Sequence, residues 1–405
     1  MRILVISKLY PPVALGGYEV ECSSVVERLR ESHQVRVLTS DRDRRLVPSD
    51  HDVDRELKYL TPDQSGALRA PAASVRAVTL ARRALAWRPD LVYVWNGAEI
   101  PHAALRVLAD SGAPLAFRVC EHWFGGLFRA DQFLRELAPA RRGPGRTMWS
   151  LGCRALNALP PLRLDPLAPA RAGISWASAA LQRLVEVPRF LEPTLERVCH
   201  PVPRYGDLYA QSVRHPATEP EVVFLGRVTP YKGLGVALEA VALLQSQYRL
   251  ASRLIVVGPE DTRYGTEMRR LASRLGVSEQ VSWRGAGTPE QAVAALSRAH
   301  ALIVPSTWQD PFPLVPIEGA FARVPIVASD VGGISEGMHD EEHALLFPAG
   351  DASAAASALA RTLSDREGTA ARVRRARKRA EQFRLGPYLD RQERFVEEIA
   401  RSSQR

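Results

Sequence analysis

The chain runs twice through one rhythm: a short apolar strand, a glycine- or proline-bearing loop, a helix, then another strand. Strands that alternate with helices imply parallel pairing, because each crossover needs room for a helix and covers a sheet face with it. The first run predicts strands at Ile3–Ser7, Gln34–Thr39, Leu91–Trp95, Pro114–Cys120 and Ile174–Ser178, with helices at Tyr18–Arg30, Arg76–Trp87 and Pro101–Asp110. Asp41–Asp54 reads as a charged loop. Pro201, Pro203, Pro216 and Pro220 then flank a polar stretch that reads as a linker. The second run predicts strands at Val222–Leu225, Arg253–Val257, Val281–Trp283 and Ala301–Val304, with helices at Gly235–Gln245, Thr266–Leu275 and Pro289–Arg298. The expected architecture is α/β: two Rossmann-like, doubly wound domains facing each other across a cleft. Residues 1–200 form the first, 201–220 the linker, 221–385 the second and 386–405 a C-terminal helix. Ligands of such sheets bind beyond the carboxyl ends of the strands, which makes the cleft the expected site.

Length agrees, since 405 residues suit two or three domains. No apolar run approaches the roughly 18 residues of a membrane span, and Met1–Ser7 is too short an apolar core for a signal peptide, so a cytoplasmic protein is expected. Cys22, Cys120, Cys153 and Cys199 have no metal-ligand spacing and read as free thiols. The net charge of +9 is carried almost wholly by arginine, the lysines being Lys8, Lys58, Lys232 and Lys378. Such charge suits phosphate-bearing small molecules or an anionic membrane surface. No nucleic-acid-binding signature accompanies it, so no nucleic-acid partner is expected. Residues 129–171 interrupt the rhythm with six prolines and eight arginines against Asp131, Glu136 and Asp165. That segment reads as a solvated, partly helical insertion, or as a basic and apolar patch for peripheral contact with the inner membrane face or a lipid-carried acceptor.

Two loops carry chemistry. Gly226-Arg227-Val228-Thr229-Pro230-Tyr231-Lys232-Gly233 follows one apolar strand and precedes a helix. Arg grips two oxygens at once and Lys supplies a mobile point charge, so this pair at a strand's carboxyl end suits a diphosphate. It is not a Walker A loop, since the Gly-to-Lys spacing differs and no Ser or Thr follows the lysine. On its own the loop would read as a turn with two surface cations. The second loop, Pro305 to Glu318, follows the strand Ala301–Val304. Pro316 is acceptable in a helix's first turn, so a helix is expected to start near Leu314 and to direct free N–H groups at an anion. Glu318 would then lie near the first turn, able to accept hydrogen bonds from ribose hydroxyls, or simply to complement the helix dipole.

Taken together, the segments Gly226-Arg227…Lys232-Gly233, Pro305-Ser306…Asp310-Pro311-Phe312-Pro313-Leu314-Val315…Glu318 and Gly332-Gly333…Glu336 resemble the signature of retaining glycosyltransferases of the GT-B fold, glycosyltransferase family 4. The resemblance is strongest from Val222 to Gly337 and extends over most of the chain. It implies transfer of a sugar from a nucleotide-diphosphate donor, UDP or GDP, to a saccharide, lipid-linked or small-molecule acceptor, with no metal and no cofactor. By the same resemblance Arg227 and Lys232 bind the diphosphate, Glu318 the ribose, and Asp310 with the backbone of Phe312, Pro313, Leu314 and Val315 the donor sugar. Gly16 and Gly17 look like the family's first loop, where glycine lets backbone approach the donor phosphates. His122 falls where the family has a histidine lining the sugar pocket, and the C-terminal helix Pro387–Arg401 resembles one that packs back on the N-terminal domain. Two positions depart from the pattern: Asp310 replaces a glutamate, and Pro313 replaces a glycine and has no N–H to offer.

Other readings stay open at the level of sequence. A nucleotide-sugar epimerase or a phosphorylase can share the architecture, and a non-catalytic nucleotide-sugar-binding partner could keep the same loops. Asp41-Arg42-Asp43, with Asp50, His51, Asp52 and Asp54 nearby, could suggest a metal site but sits in a charged loop and reads as solvated.

Overall fold

The computed structural model describes residues 1–13, 16–42, 51–59, 69–98, 100–126, 166–260 and 263–402. Most of the arginine-rich segment 129–171 lies outside these residues, as do Cys153 and the positions from Asp43 to Asp50. Two compact units divide the chain: Met1–Cys199 with Leu389–Arg405, and His200–Tyr388.

The first unit is built on seven parallel strands: β1 (Arg2–Ser7), β2 (Gln34–Ser40), β3 (Val53–Leu57), β4 (Leu91–Asn96), β5 (Leu115–Val119), β6 (Ala170–Trp176) and β7 (Leu191–Val198). Their spatial order is β3-β2-β1-β4-β5-β6-β7. The order reverses between β1 and β4, and β4 is buried along its whole length. Side chains of β1, β4, β5 and β6 form one core with the helices Arg69–Leu85 and His102–Ala109.

Three strand-level expectations for this unit differ. β3 starts inside the expected charged loop: Val53, Arg55 and Leu57 turn inward while Asp54 and Glu56 face outward. The period of two was there, disguised by an arginine on the buried face. Arg55 is buried because its guanidinium donates to the carbonyls of Tyr10 (2.9 Å) and Pro11 (2.6 Å), fixing the loop after β1. β6 begins at Ala170, four residues before the expected strand. β7 was not expected, since most of its side chains are exposed on an outer strand with no alternation to read.

A buried polar network ties the first unit together. Arg118 on β5 is fully covered and donates to Glu21 Oε1 through Nε (3.1 Å) and Nη2 (2.8 Å), to Ser175 Oγ (3.1 Å) and to the carbonyl of Cys199 (2.7 Å). Tyr93 on β4 donates to Gln392 Oε1 at 2.7 Å. Gln392 belongs to the helix Leu385–Ser402, whose residues from Leu389 on are part of the first unit. This helix lies so near β6 that a Cβ at Gly173 would stand 2.1 Å from Ile399 Cδ1.

The second unit holds six parallel strands: β8 (Glu221–Leu225), β9 (Arg253–Val257), β10 (Val281–Trp283), β11 (Ala301–Val304), β12 (Ile326–Ser329) and β13 (Leu345–Phe347). Their order is β10-β9-β8-β11-β12-β13, a doubly wound sheet that reverses between β8 and β11. The core lies between this sheet and the helices Leu234–Tyr248 and Ala352–Ser364. Residues 201–220, expected as a linker, fall within this unit and contain the helix Gly206–Gln211, with Tyr209 and Ala210 buried.

Candidate donor site

The two chemically marked loops leave β8 and β11, the neighbours at which the strand order of the second sheet reverses. Loops on either side of such a point diverge and leave a crevice. Gly226 has φ +144° and Gly233 φ +72°, conformations other residues rarely adopt. A Cβ at Gly233 would stand 1.8 Å from the carbonyl oxygen of Pro305, so glycine is required for the loop after β8 to lie against the loop after β11. Thr307 N–H donates to the Tyr231 carbonyl at 2.9 Å, joining the loops directly. Above that bond the Tyr231 and Trp308 rings meet edge to face at 5.5 Å, and Arg227 lies 5.9 Å from the Tyr231 ring.

Lys232 and Asp310 meet across this junction: Nζ donates to Oδ2 at 2.5 Å. Asp310 is buried, while a quarter of the Lys232 side chain is exposed. Asp310 is held by its own backbone as well, its carbonyl accepting from Gly333 N–H at 2.8 Å. Gly332, at φ +56°, leaves no room for a Cβ, which would stand 2.1 Å from the Asp310 carbonyl oxygen. The third motif segment therefore works as a backbone rest beneath the second. Its glutamate, Glu336, contacts His200 Nε2 at 3.0 Å, and the His200 ring lies 4.6 Å from Phe312. Phe312 and Pro313 are buried, so these positions can offer a ligand backbone atoms only, and at Pro313 only a carbonyl.

The helix after this loop runs from Val315 to Phe321 with Leu314 at its cap, as expected. Pro316 in its first turn has no N–H, so Val315 and Ile317 are the first-turn residues that carry one. Glu318 lines a pocket of about 310 Å³ together with Gly226, Arg227, Gly258, Gly287 and Tyr209. Burial pushes the Glu318 carboxyl up to about 7. Burial, with Glu318 next, pushes the Tyr209 hydroxyl upward too. Tyr209 comes from the stretch expected to be a linker, and sequence reasoning missed it: only the fold brings it to the wall shared with Glu318. Gly258 has φ +149°, and a Cβ there would stand 1.9 Å from the Gly226 carbonyl oxygen, so the pocket's floor also depends on glycine.

Arg227, Lys232, Asp310, Phe312, Pro313, Leu314, Val315 and Glu318 thus share one end of one sheet. Gly16, Gly17 and His122 lie in the first unit. Gly17 opens the helix Gly17–Arg30, and the Gly16 N–H donates to Glu19 Oε2 at 3.0 Å. His122 is exposed at the head of a 3-10 turn that follows β5. An ion pair of 3.9 Å between Lys8 and Glu121 links the loops after β1 and β5.

Residues 207–380 match the family described as glycosyl transferases group 1. A D-inositol 3-phosphate glycosyltransferase of Nocardia farcinica is 35% identical over 156 residues, covering 37% of this chain and 34% of that protein. One of Salinispora tropica is 32% identical over 168 residues, with 40% and 35% covered. The matched part spans about a third of the length of these relatives. Among solved structures, a glycosyltransferase from Rickettsia africae aligns over 98% of both chains with TM-score 0.70 and 13% identity. Anabaena HepE in complex with UDP aligns over 97% of this chain and 98% of its own, with TM-score 0.66 and 18% identity. These likenesses identify the fold of the two parallel-sheet units as that of GT-B glycosyltransferases.

Proposed function

We propose, from a second unit whose residues 207–380 are a group 1 glycosyltransferase domain, that the chain transfers a sugar from a nucleotide-diphosphate donor with retention at the anomeric carbon. The observation that carries this reading is the placement of Arg227, Lys232 and the Val315 helix start at the reversal point of a Rossmann-like sheet, beside a pocket walled by Glu318. The nucleoside occupies the pocket between the loops after β8 and β9, with its ribose hydroxyls on Glu318. The diphosphate lies over Gly226 and Arg227 and draws Lys232 away from Asp310. Asp310, released, accepts hydrogen bonds from the donor sugar.

The chemistry follows from charge. As the glycosidic C–O bond breaks, negative charge gathers on the β-phosphate, where Arg227, the released Lys232 and the helix start stabilise it. These groups do the work a divalent ion would otherwise do, so turnover should proceed without added metal. The acceptor hydroxyl attacks from the face the diphosphate leaves, and a phosphate oxygen takes its proton. UDP is the favoured nucleotide, since UDP and UDP-glucose complexes occur among the structural neighbours. The acceptor is a saccharide, a lipid-linked sugar or a small molecule, bound by the first unit.

Hydrolysis of UDP-, GDP-, ADP- and dTDP-sugars, assayed without added metal in wild type and Lys232→Ala, tests the reading. One donor should turn over, and the variant should lose about 10²–10³ in rate. Absence of both turnover and binding for every donor would instead indicate a non-catalytic partner.

A further inference from the structure

His33 is an unexplained residue of the first unit. Its side chain is 8% exposed, and both ring nitrogens are buried without a hydrogen-bond partner. Such a group in a folded protein calls for a reason, and an ion is one. Its Nε2 faces two carboxylates, Glu393 Oε1 at 3.9 Å and Glu397 Oε1 at 3.8 Å. These contacts are too long for hydrogen bonds. All three ligand atoms lie within 4.8 Å of one another.

From this geometry we infer a structural site for a divalent transition ion, zinc in particular, held by His33 Nε2, Glu393 Oε1 and Glu397 Oε1. Zinc takes imidazole nitrogen and carboxylate oxygen at roughly 2.0–2.2 Å, which sets the ligands of a tetrahedron about 3.4 Å apart. An inward shift of about half an ångström brings His33 Nε2 to that distance from both carboxylate oxygens, and water fills the fourth position from the side where Glu397 is 29% exposed. The outer carboxylate oxygens are already oriented: Arg28 Nε donates to Glu393 Oε2 at 3.0 Å and Arg401 Nη2 to Glu397 Oε2 at 2.7 Å. Partners behind the ligands are what a metal centre needs. Glu393 and Glu397 are one helical turn apart on a single face of Leu385–Ser402. His33 follows the helix Gly17–Arg30, held by its N–H to the Leu29 carbonyl at 2.8 Å. The ion would therefore clamp the last helix of the chain to the first. None of these residues belongs to the proposed donor site.

A second cluster, His339, Glu342 and His343, is the natural control. There His343 Nδ1 accepts from the His339 N–H at 3.1 Å, which leaves the proton on the nitrogen that would have to bind metal.

The test uses the untagged full chain, stripped with chelator and titrated with Zn²⁺ by calorimetry, with thermal melting in parallel. We expect one ion per chain and a higher melting temperature with zinc. Binding should weaken at least about tenfold in His33→Gln and in Glu397→Gln, but not in the His339→Ala/His343→Ala double variant. Should His33→Gln fail to fold, Glu397→Gln carries the test, its side chain being partly exposed. Unchanged affinity in the His33 and Glu397 variants, or no stoichiometric binding, overturns the site. So does a His33-dependent gain in stability on acidification without zinc binding, which would mean a protonated imidazole between two carboxylates.

Discussion

Single residues set the pH response of the candidate site. Glu318 holds its proton up to about 7, against an ordinary value of 4.5, because burial disfavours its charge. The folded chain therefore binds a proton that the unfolded chain has released, and stability falls as pH rises from 4.5 to about 7. Glu318→Gln should remove that decline and melt higher than wild type at pH 8, with little difference at pH 4, while donor binding weakens; thermal melts and a donor titration check both. At Gly233 the constraint is steric. Gly233→Ala must place a methyl where the Pro305 carbonyl oxygen lies, at φ +72°. It should cost about 1–3 kcal/mol or more in denaturant unfolding and loosen the contact between the two cation-bearing loops.

At the scale of elements, the apolar strands β1, β4, β8, β9 and β11 could be read from sequence because burial on both faces leaves continuous runs of Val, Ile and Leu. β3 and β7 could not. One puts an arginine on its buried face, and the other lies at the sheet's edge with most side chains exposed. The donor loops were legible because each is contiguous and follows a strand. Tyr209 beside Glu318, and His200 beneath Phe312, were not, because folding alone joins residues so far apart in sequence. The buried Arg118–Glu21 pair belongs to this hidden class and links β5 to the first helix. Arg118→Met should cost about 3–5 kcal/mol by stranding Glu21, and adding Glu21→Met should recover much of it; urea unfolding of the single and double variants measures the difference.

Across the whole molecule, the first unit is discontinuous in sequence while the second is one continuous run. Leu389–Arg405 supplies Gln392 to Tyr93 and Ile399 to the space above Gly173. Ending the chain after Tyr388 should lower the melting temperature of the first unit and leave that of the second near its original value, seen as two separated calorimetric transitions. Among the described residues no helix is long and apolar enough to cross a membrane, and each sheet has its own buried core.

The hollow over Gly173 also imposes an order on biosynthesis. A ribosome releases β1 to β7 first, yet the side chains that fill that hollow are made only after the whole of the second unit. While residues 200–388 are synthesised and complete their own sheet, the earlier one waits with an apolar strip on β6 uncovered. During that interval the nascent chain is most exposed to chaperones and to aggregation, and the second unit becomes the first to finish.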